Sequence, residues 1–136
     1  MAEIKMMRGI TLIEMVIVLA VMGILLGISI PGYNKYMLRV HRTEAIRMLL
    51  QASMCQERIY ANSGTYDTNQ CHPASEHKRY QIKYSEPGTR KRSFVAMATP
   101  LGPQIFDPCG RLSLDNSGAR GISASEISVM KCWSGR

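Results

Sequence analysis

The sequence lacks the residue patterns that mark an enzyme or a metalloprotein. It has no nucleophile motif, no glycine-rich phosphate-binding loop and no pair of carboxylates at a catalytic spacing. None of its four cysteines lies in a Cys-x-x-Cys pair, and His41, His72 and His77 form no ligand array. We therefore predict a protein that is not an enzyme and that needs no metal ion or other cofactor.

The sequence also lacks a cation that could neutralise the one carboxylate in its longest apolar run. This run extends from Ile10 to Ile30 and as a helix would rise about 31 Å, the thickness of a hydrocarbon core. Glu14 is the single ionisable residue in it, and no basic residue follows before Lys35. A carboxylate at such a depth requires a partner.

The N-terminal charges suggest where that partner comes from. A secretory signal has a shorter apolar region followed by a cleavage site, whereas here the polar break lies before the run, at Lys5 and Arg8. A cut after Gly9 would create an amine at Ile10, one helical turn from Glu14 on the same chain or on a neighbour.

The stretch Gly9-Ile10-Thr11-Leu12-Ile13-Glu14 resembles the class III leader junction of bacterial type IV pilins and the related pseudopilins. The resemblance implies that prepilin peptidase cuts after Gly9 and N-methylates Ile10, and that Glu14 guides docking into a growing filament. Ile10 departs from the family's usual phenylalanine but remains bulky and apolar. Membrane physics alone leaves a plain single-span anchor open as the alternative.

The domain organisation follows from this resemblance. We expect a leader peptide at 1–9, a transmembrane and polymerisation helix at 10–30 and a periplasmic head domain at 31–136. All four cysteines follow the apolar run, which favours an oxidising compartment, although basic residues just after the run argue for the opposite orientation. The subunit would be stored in the inner membrane and then enter an extracellular filament.

The predicted fold class is α+β. A long N-terminal α-helix, from Ile10 to about Asn62 and kinked at Pro31, packs on a small antiparallel β-sheet with a disulfide-closed C-terminal loop. Strands are predicted at 80–84, 93–99 and 111–114. The helical period places one set of residues on the core face and Lys35, Arg39, Arg42, Arg47 and Arg58 largely elsewhere. The core set is Tyr33, Met37, Val40, Ala45, Met48, Leu49, Ala52, Cys55 and Ile59.

Four cysteines allow three disulfide pairings. The segment from Cys109 to Cys132 resembles the C-terminal disulfide loop of type IV pilins, in particular of PilE-like members of the type IVa group. The resemblance therefore implies Cys109–Cys132, and we favour Cys55–Cys71 as the second pair, which would fix the end of the helix to the following loop.

The basic run Arg90-Lys91-Arg92 lies at the tip of a predicted hairpin and could hold DNA phosphates. We favour a solvated turn that blunts a sheet edge, since the run contains no aromatic residue for base stacking. The expected partners are other pilin subunits, the inner membrane, prepilin peptidase and the assembly machinery. A DNA-binding minor pilin and a type II secretion pseudopilin remain as alternatives, and a role in adhesion or twitching motility is left open.

Overall fold

The computed structural model describes residues 10–71, 78–85 and 92–135, except for the side chain of Pro31. Helix α1 spans Leu12–Ser63, and strands β1 (Tyr80–Tyr84) and β2 (Val95–Pro100) follow. A 3-10 helix at Gly102–Phe106 leads to β3 (Leu112–Asp115), β4 (Arg120–Ile122) and the short helix α2 (Val129–Trp133). The chain divides into two compact units, one ending at Lys35 and the other, the head domain, beginning at Tyr36.

The four strands form an antiparallel sheet in the order β1-β2-β3-β4. Ile82, Ala98, Leu112 and Ile122 lie side by side across it, so they share one face. Together with other inward residues of the strands, this face forms a single core cluster with Ala45, Met48, Leu49 and Ala52 of α1. The long helix packed on an antiparallel sheet confirms the predicted fold class.

The end of α1 is where the sequence predicts it. Gly64 follows the helix with a φ of 71° and donates its backbone N–H to the Tyr60 carbonyl at 2.8 Å. A side chain is strained at such a positive φ, which explains the choice of glycine. The helix begins at Leu12 rather than Ile10 and includes Pro31.

The predicted core face of α1 is partly wrong. Tyr33 and Val40, which the helical period placed on it, are exposed. Arg42, which was placed elsewhere, is buried. Hydrophobic periodicity cannot detect a buried cation whose partner, Asp107, lies 65 residues away in sequence.

Strand β1 has the predicted bounds, whereas the later strands differ from the prediction. Strand β2 begins two residues and ends one residue later than predicted, and β3 is shifted by one residue at both ends, to Leu112–Asp115. The sequence interpretation missed β4, the 3-10 helix and α2, which are three to five residues long and, unlike β1 and β3, show no clear alternation of polar and apolar residues. The turn predicted at 86–88 lies outside the described residues.

Candidate functional surfaces

The apolar N-terminal segment presents its side chains outward. Every residue from 10 to 30 is exposed, and α1 is long and apolar enough at this end to cross a membrane. Hydrophobic surface on this scale marks contact with lipid or with other protein chains.

Glu14 lies in the first turn of this helix. Its backbone N–H donates to the Thr11 hydroxyl at 3.3 Å, so Thr11 caps the helix. Thr11 and Glu14 have the Thr-x-x-Glu spacing of a capping box, a signal that the sequence interpretation missed. Within the described residues, the recorded ion pairs do not include the Glu14 carboxylate. Gly9, the predicted processing site, lies outside them.

A buried polar cluster joins the helix to the rest of the head. Arg42 Nη1 lies 3.2 Å from Asp107 Oδ1, and both side chains are buried. Asp107 Oδ2 accepts from the Tyr80 hydroxyl at 2.9 Å and from Gln104 Nε2 at 3.1 Å. Burial, reinforced by the Asp107 carboxylate, raises the pKa of Tyr80. The cluster has a structural role, since it holds α1, β1 and the 3-10 helix in a fixed arrangement.

Two disulfides complete the head. The structure joins Cys55 to Cys71 and Cys109 to Cys132, which is the pairing that the resemblance implies. Cys109 Sγ also contacts the Arg42 guanidinium, so the C-terminal disulfide lies against the buried polar cluster. The Cys71 carbonyl accepts from the Tyr84 hydroxyl at 2.6 Å, which ties the first disulfide to β1.

The sheet and C-terminal segment carry a basic surface, defined as the Lys and Arg side chains of residues 78–85 and 92–135. Seven of them occur there against three Asp and Glu, and six of the seven are exposed. Asp107 is buried against Arg42, and Asp115 accepts hydrogen bonds within its own turn. The Ser117 hydrogen bond is the main cause of a lowered Asp115 pKa. The cations are Lys78, Arg79, Lys83, Arg92, Arg111, Arg120 and Lys131.

The structure places only one member of the predicted basic run. Arg92 is exposed, three residues before β2, whereas Arg90 and Lys91 lie outside the described residues. Ser85 and Val95 are joined by a hydrogen bond of 2.8 Å, so the segment containing the run leaves and re-enters the sheet at one end of the β1–β2 pair. Lys83 lies near that end of β1.

Two aromatic residues of this part of the head, Trp133 and Phe94, are enclosed, whereas Phe106 is exposed. Trp133 is 8% exposed, donates to the Gly121 carbonyl and has Arg120 over its ring at 5.2 Å. Phe94 is 1% exposed and packs edge-on against Tyr66 and Tyr84. Both rings therefore serve the head's own packing.

Two family models together match residues 4–113. One described as "Type IV minor pilin ComP, DNA uptake sequence receptor" matches residues 31–113, and one for the prokaryotic N-terminal methylation motif matches residues 4–30. The first covers more than half of the chain. The second covers the leader junction and the apolar segment.

Individual relatives are pilins as well. A fimbrial protein of Neisseria meningitidis serogroup A is 36% identical over 62 residues, 46% of this chain and 36% of that protein. The type IV major pilin PilA of Myxococcus xanthus is 37% identical over 59 residues, 43% of this chain and 27% of that protein. The matched stretches thus span only about a third of these relatives.

Solved structures agree with this assignment. A type IV pilin from Shewanella oneidensis has a TM-score of 0.56 and 29% identity, covering 68% of this chain and 96% of its own. The non-core minor pilin PilV of Neisseria meningitidis has a TM-score of 0.54 and 25% identity, covering 70% of this chain and 95% of its own. Sequence, fold and leader motif point the same way, and the chain belongs to the ComP family of type IV pilins.

Proposed function

We propose that this chain is a minor subunit of a type IV pilus and that its head domain binds DNA during uptake. The observation that carries the proposal is the family match over residues 31–113. That stretch contains β1, β2 and part of β3, and it begins after the apolar segment that pilins have in common. The likeness to a DNA uptake receptor therefore lies in the head itself.

The charge of the head supports this proposal. Residues 78–85 and 92–135 contain three acidic residues. Asp107 is paired with Arg42, and Asp115 accepts hydrogen bonds from its own turn. Glu126 is therefore the exposed acidic residue that remains among them. Exposed Lys and Arg in such excess attract the DNA backbone. From sequence alone, we favoured a solvated turn at Arg90-Lys91-Arg92 over a site that binds DNA phosphates. With this support, we now propose the DNA-binding site.

The burial of Trp133 and Phe94 limits how DNA would be held, and Phe106 is the exposed phenylalanine of the described head. Trp133 and Phe94 are too buried to stack on bases. The contacts we propose are those of Lys and Arg with phosphates, which release counterions and make affinity fall steeply with salt.

The test is the salt dependence of DNA binding by the full chain in detergent. Changing Arg90, Lys91 and Arg92 to Gln should flatten the log–log slope by about 2.7, at roughly 0.9 per lost phosphate contact. The matched control is the triple Gln variant at Lys35, Arg39 and Arg47, which removes the same charge from exposed positions on α1. Equal effects of the two triple variants, or no effect of the first, would contradict binding at this hairpin.

We also propose that the subunit enters the filament through its N-terminus. Prepilin peptidase would cut after Gly9 and methylate Ile10, whose amine would then pair with Glu14 of an adjacent subunit. The methylation-motif match over residues 4–30 supports the processing. The exposure of residues 10–30 supports the packing, since neighbouring apolar helices can replace lipid around them. Before assembly, this segment would anchor the chain in the inner membrane with the head in the periplasm.

A further inference from the structure

We propose that the head domain carries a lipid-contact site formed by Leu101, Ile105 and Phe106, and that its partner is the anionic bilayer in which the subunit is stored before assembly. This inference rests on the proposed membrane anchoring and is independent of DNA binding. We call these three residues the apolar tip.

The apolar tip is exposed although it belongs to an ordered part of the head. Leu101, Ile105 and Phe106 are 39%, 61% and 76% exposed. Two of them are the last residues of the 3-10 helix, and Leu101 immediately precedes it. Adjacent large apolar side chains held in water are unfavourable unless a partner covers them.

The apolar tip is also held rigidly, because Gln104 anchors the 3-10 helix from within. Gln104 is 1% exposed, and its Nε2 donates to the Leu38 carbonyl at 2.9 Å and to the Tyr80 hydroxyl at 3.1 Å. Leu101 is fixed from the other side, since its backbone N–H donates to the Arg79 carbonyl at 2.8 Å. Ile105 and Phe106 are thus presented outward by a fixed scaffold, so binding them would cost little conformational entropy.

Cations occur in or next to the two backbone segments that hold the apolar tip. Arg39 follows Leu38 on α1, and Lys78 and Arg79 lead into β1 next to Leu101; Arg39 and Lys78 are exposed and Arg79 is half-buried. Asp107, the acid that directly follows the 3-10 helix, is buried against Arg42 and offers no outward charge. Apolar side chains bordered by Lys and Arg have the chemistry of a site that inserts into an anionic membrane surface.

The chain itself keeps this site near the bilayer. Leu38, the anchor of Gln104, is eight residues beyond Ile30, where the apolar segment ends. Eight residues span at most about 28 Å, which limits the length of chain between the end of the apolar segment and Leu38. Tethering of this kind raises the effective concentration of the lipid surface at the site.

The experiment is tryptophan quenching by brominated lipids in vesicles that contain the full chain. In the Phe106→Trp variant, we expect brominated phosphatidylglycerol, which is anionic, to quench the fluorescence of the introduced tryptophan. Brominated phosphatidylcholine, which is neutral, should quench it less. The parent chain provides the baseline, because its one tryptophan, Trp133, is buried. The matched control is Met130→Trp, which replaces a side chain 82% exposed on α2 and should not be quenched.

Each other outcome counts against the proposal. Equal quenching at positions 106 and 130 would show that the head contacts lipid without preference for the apolar tip. The tryptophan at position 106 could instead remain unquenched by lipid and shift its emission to the blue in assembled pili. This result would show that the apolar tip contacts a neighbouring subunit and not the bilayer. Co-flotation of the chain with the vesicles tests the membrane anchor separately, and DNA binding is measured on other variants. A failure of the anchor, of DNA binding or of the lipid-contact site can therefore be told apart.

Discussion

Arg42 is the residue at which a single substitution should most affect the head. It forms a buried ion pair with Asp107 at 3.2 Å, and its Nε has no hydrogen-bond partner among the described residues. Removing one member of a buried pair leaves the other charge uncompensated, at a cost of about 3–5 kcal/mol. We expect Arg42→Met to lower the free energy of unfolding by an amount near the lower end of that range, as measured by chemical unfolding of the full chain in detergent.

The control for this prediction is Arg39→Met. Arg39 lies one turn earlier on α1 and is exposed, so its replacement should change the free energy of unfolding by no more than about 0.5 kcal/mol. Similar losses from the two variants would mean that the buried pair contributes no more than a surface charge.

Tyr80 predicts how the head responds to alkaline pH. Burial and the Asp107 carboxylate raise its pKa in the folded state above the ordinary tyrosine value of about 10. The stability that comes from its neutral form is therefore fully present below pH 10 and is lost as the pH rises through the folded pKa. Tyr80→Phe should make the fall in unfolding free energy above pH 10 shallower, whereas Tyr36→Phe, at an exposed position, should leave the profile as it is.

Glu14 should matter for assembly and not for insertion. Glu14→Val removes the carboxylate proposed to meet the Ile10 amine of a neighbour but leaves the segment apolar enough to enter the membrane. We expect normal amounts of membrane-bound subunit and loss of the variant from sheared pili, while Glu14→Asp retains partial assembly. Loss of membrane insertion with no assembly defect would favour the plain-anchor interpretation.

Among the secondary-structure elements, the long and strongly patterned ones are predictable from sequence. The apolar run and the helical period gave α1 within two residues, and the alternation in Tyr80–Tyr84 gave β1. Strand β4 has only Arg120, Gly121 and Ile122, too few for alternation to be recognised, and it exists because it pairs with β3. Burial of Arg42 likewise depends on a distant carboxylate, and the cysteine pairing came from family resemblance.

The C-terminal disulfide is the element whose loss should destabilise the head most broadly. It links positions 23 residues apart, and the chain-entropy model assigns such a loop about 3 kcal/mol. Its removal would also disturb the Arg42 contact at Cys109. We expect Cys109→Ala/Cys132→Ala to reduce subunit levels and pilus incorporation, as measured by immunoblotting of membranes and sheared pili. Unchanged levels in both fractions would contradict this.

For the whole molecule, the proposed function depends on two surfaces with different chemistry. Residues 10–30 are all exposed and, apart from Thr11, Glu14 and Ser29, apolar, which suits lipid or neighbouring helices. The head presents an excess of cations on a disulfide-stabilised sheet. The first is covered by the methylation-motif model, and the second is matched in part, up to residue 113, by the ComP family model. The proposed division is that the N-terminal segment places the subunit in the filament and the head provides its interaction with DNA.

Mass spectrometry of purified pili tests the central claim, that this chain becomes a processed filament subunit, most directly. The account predicts a mature chain that begins at N-methylated Ile10, contains both disulfides and is present in smaller amounts than the principal subunit. Absence of the chain from pili that are otherwise intact, or its presence there with residues 1–9 still attached, would contradict the account.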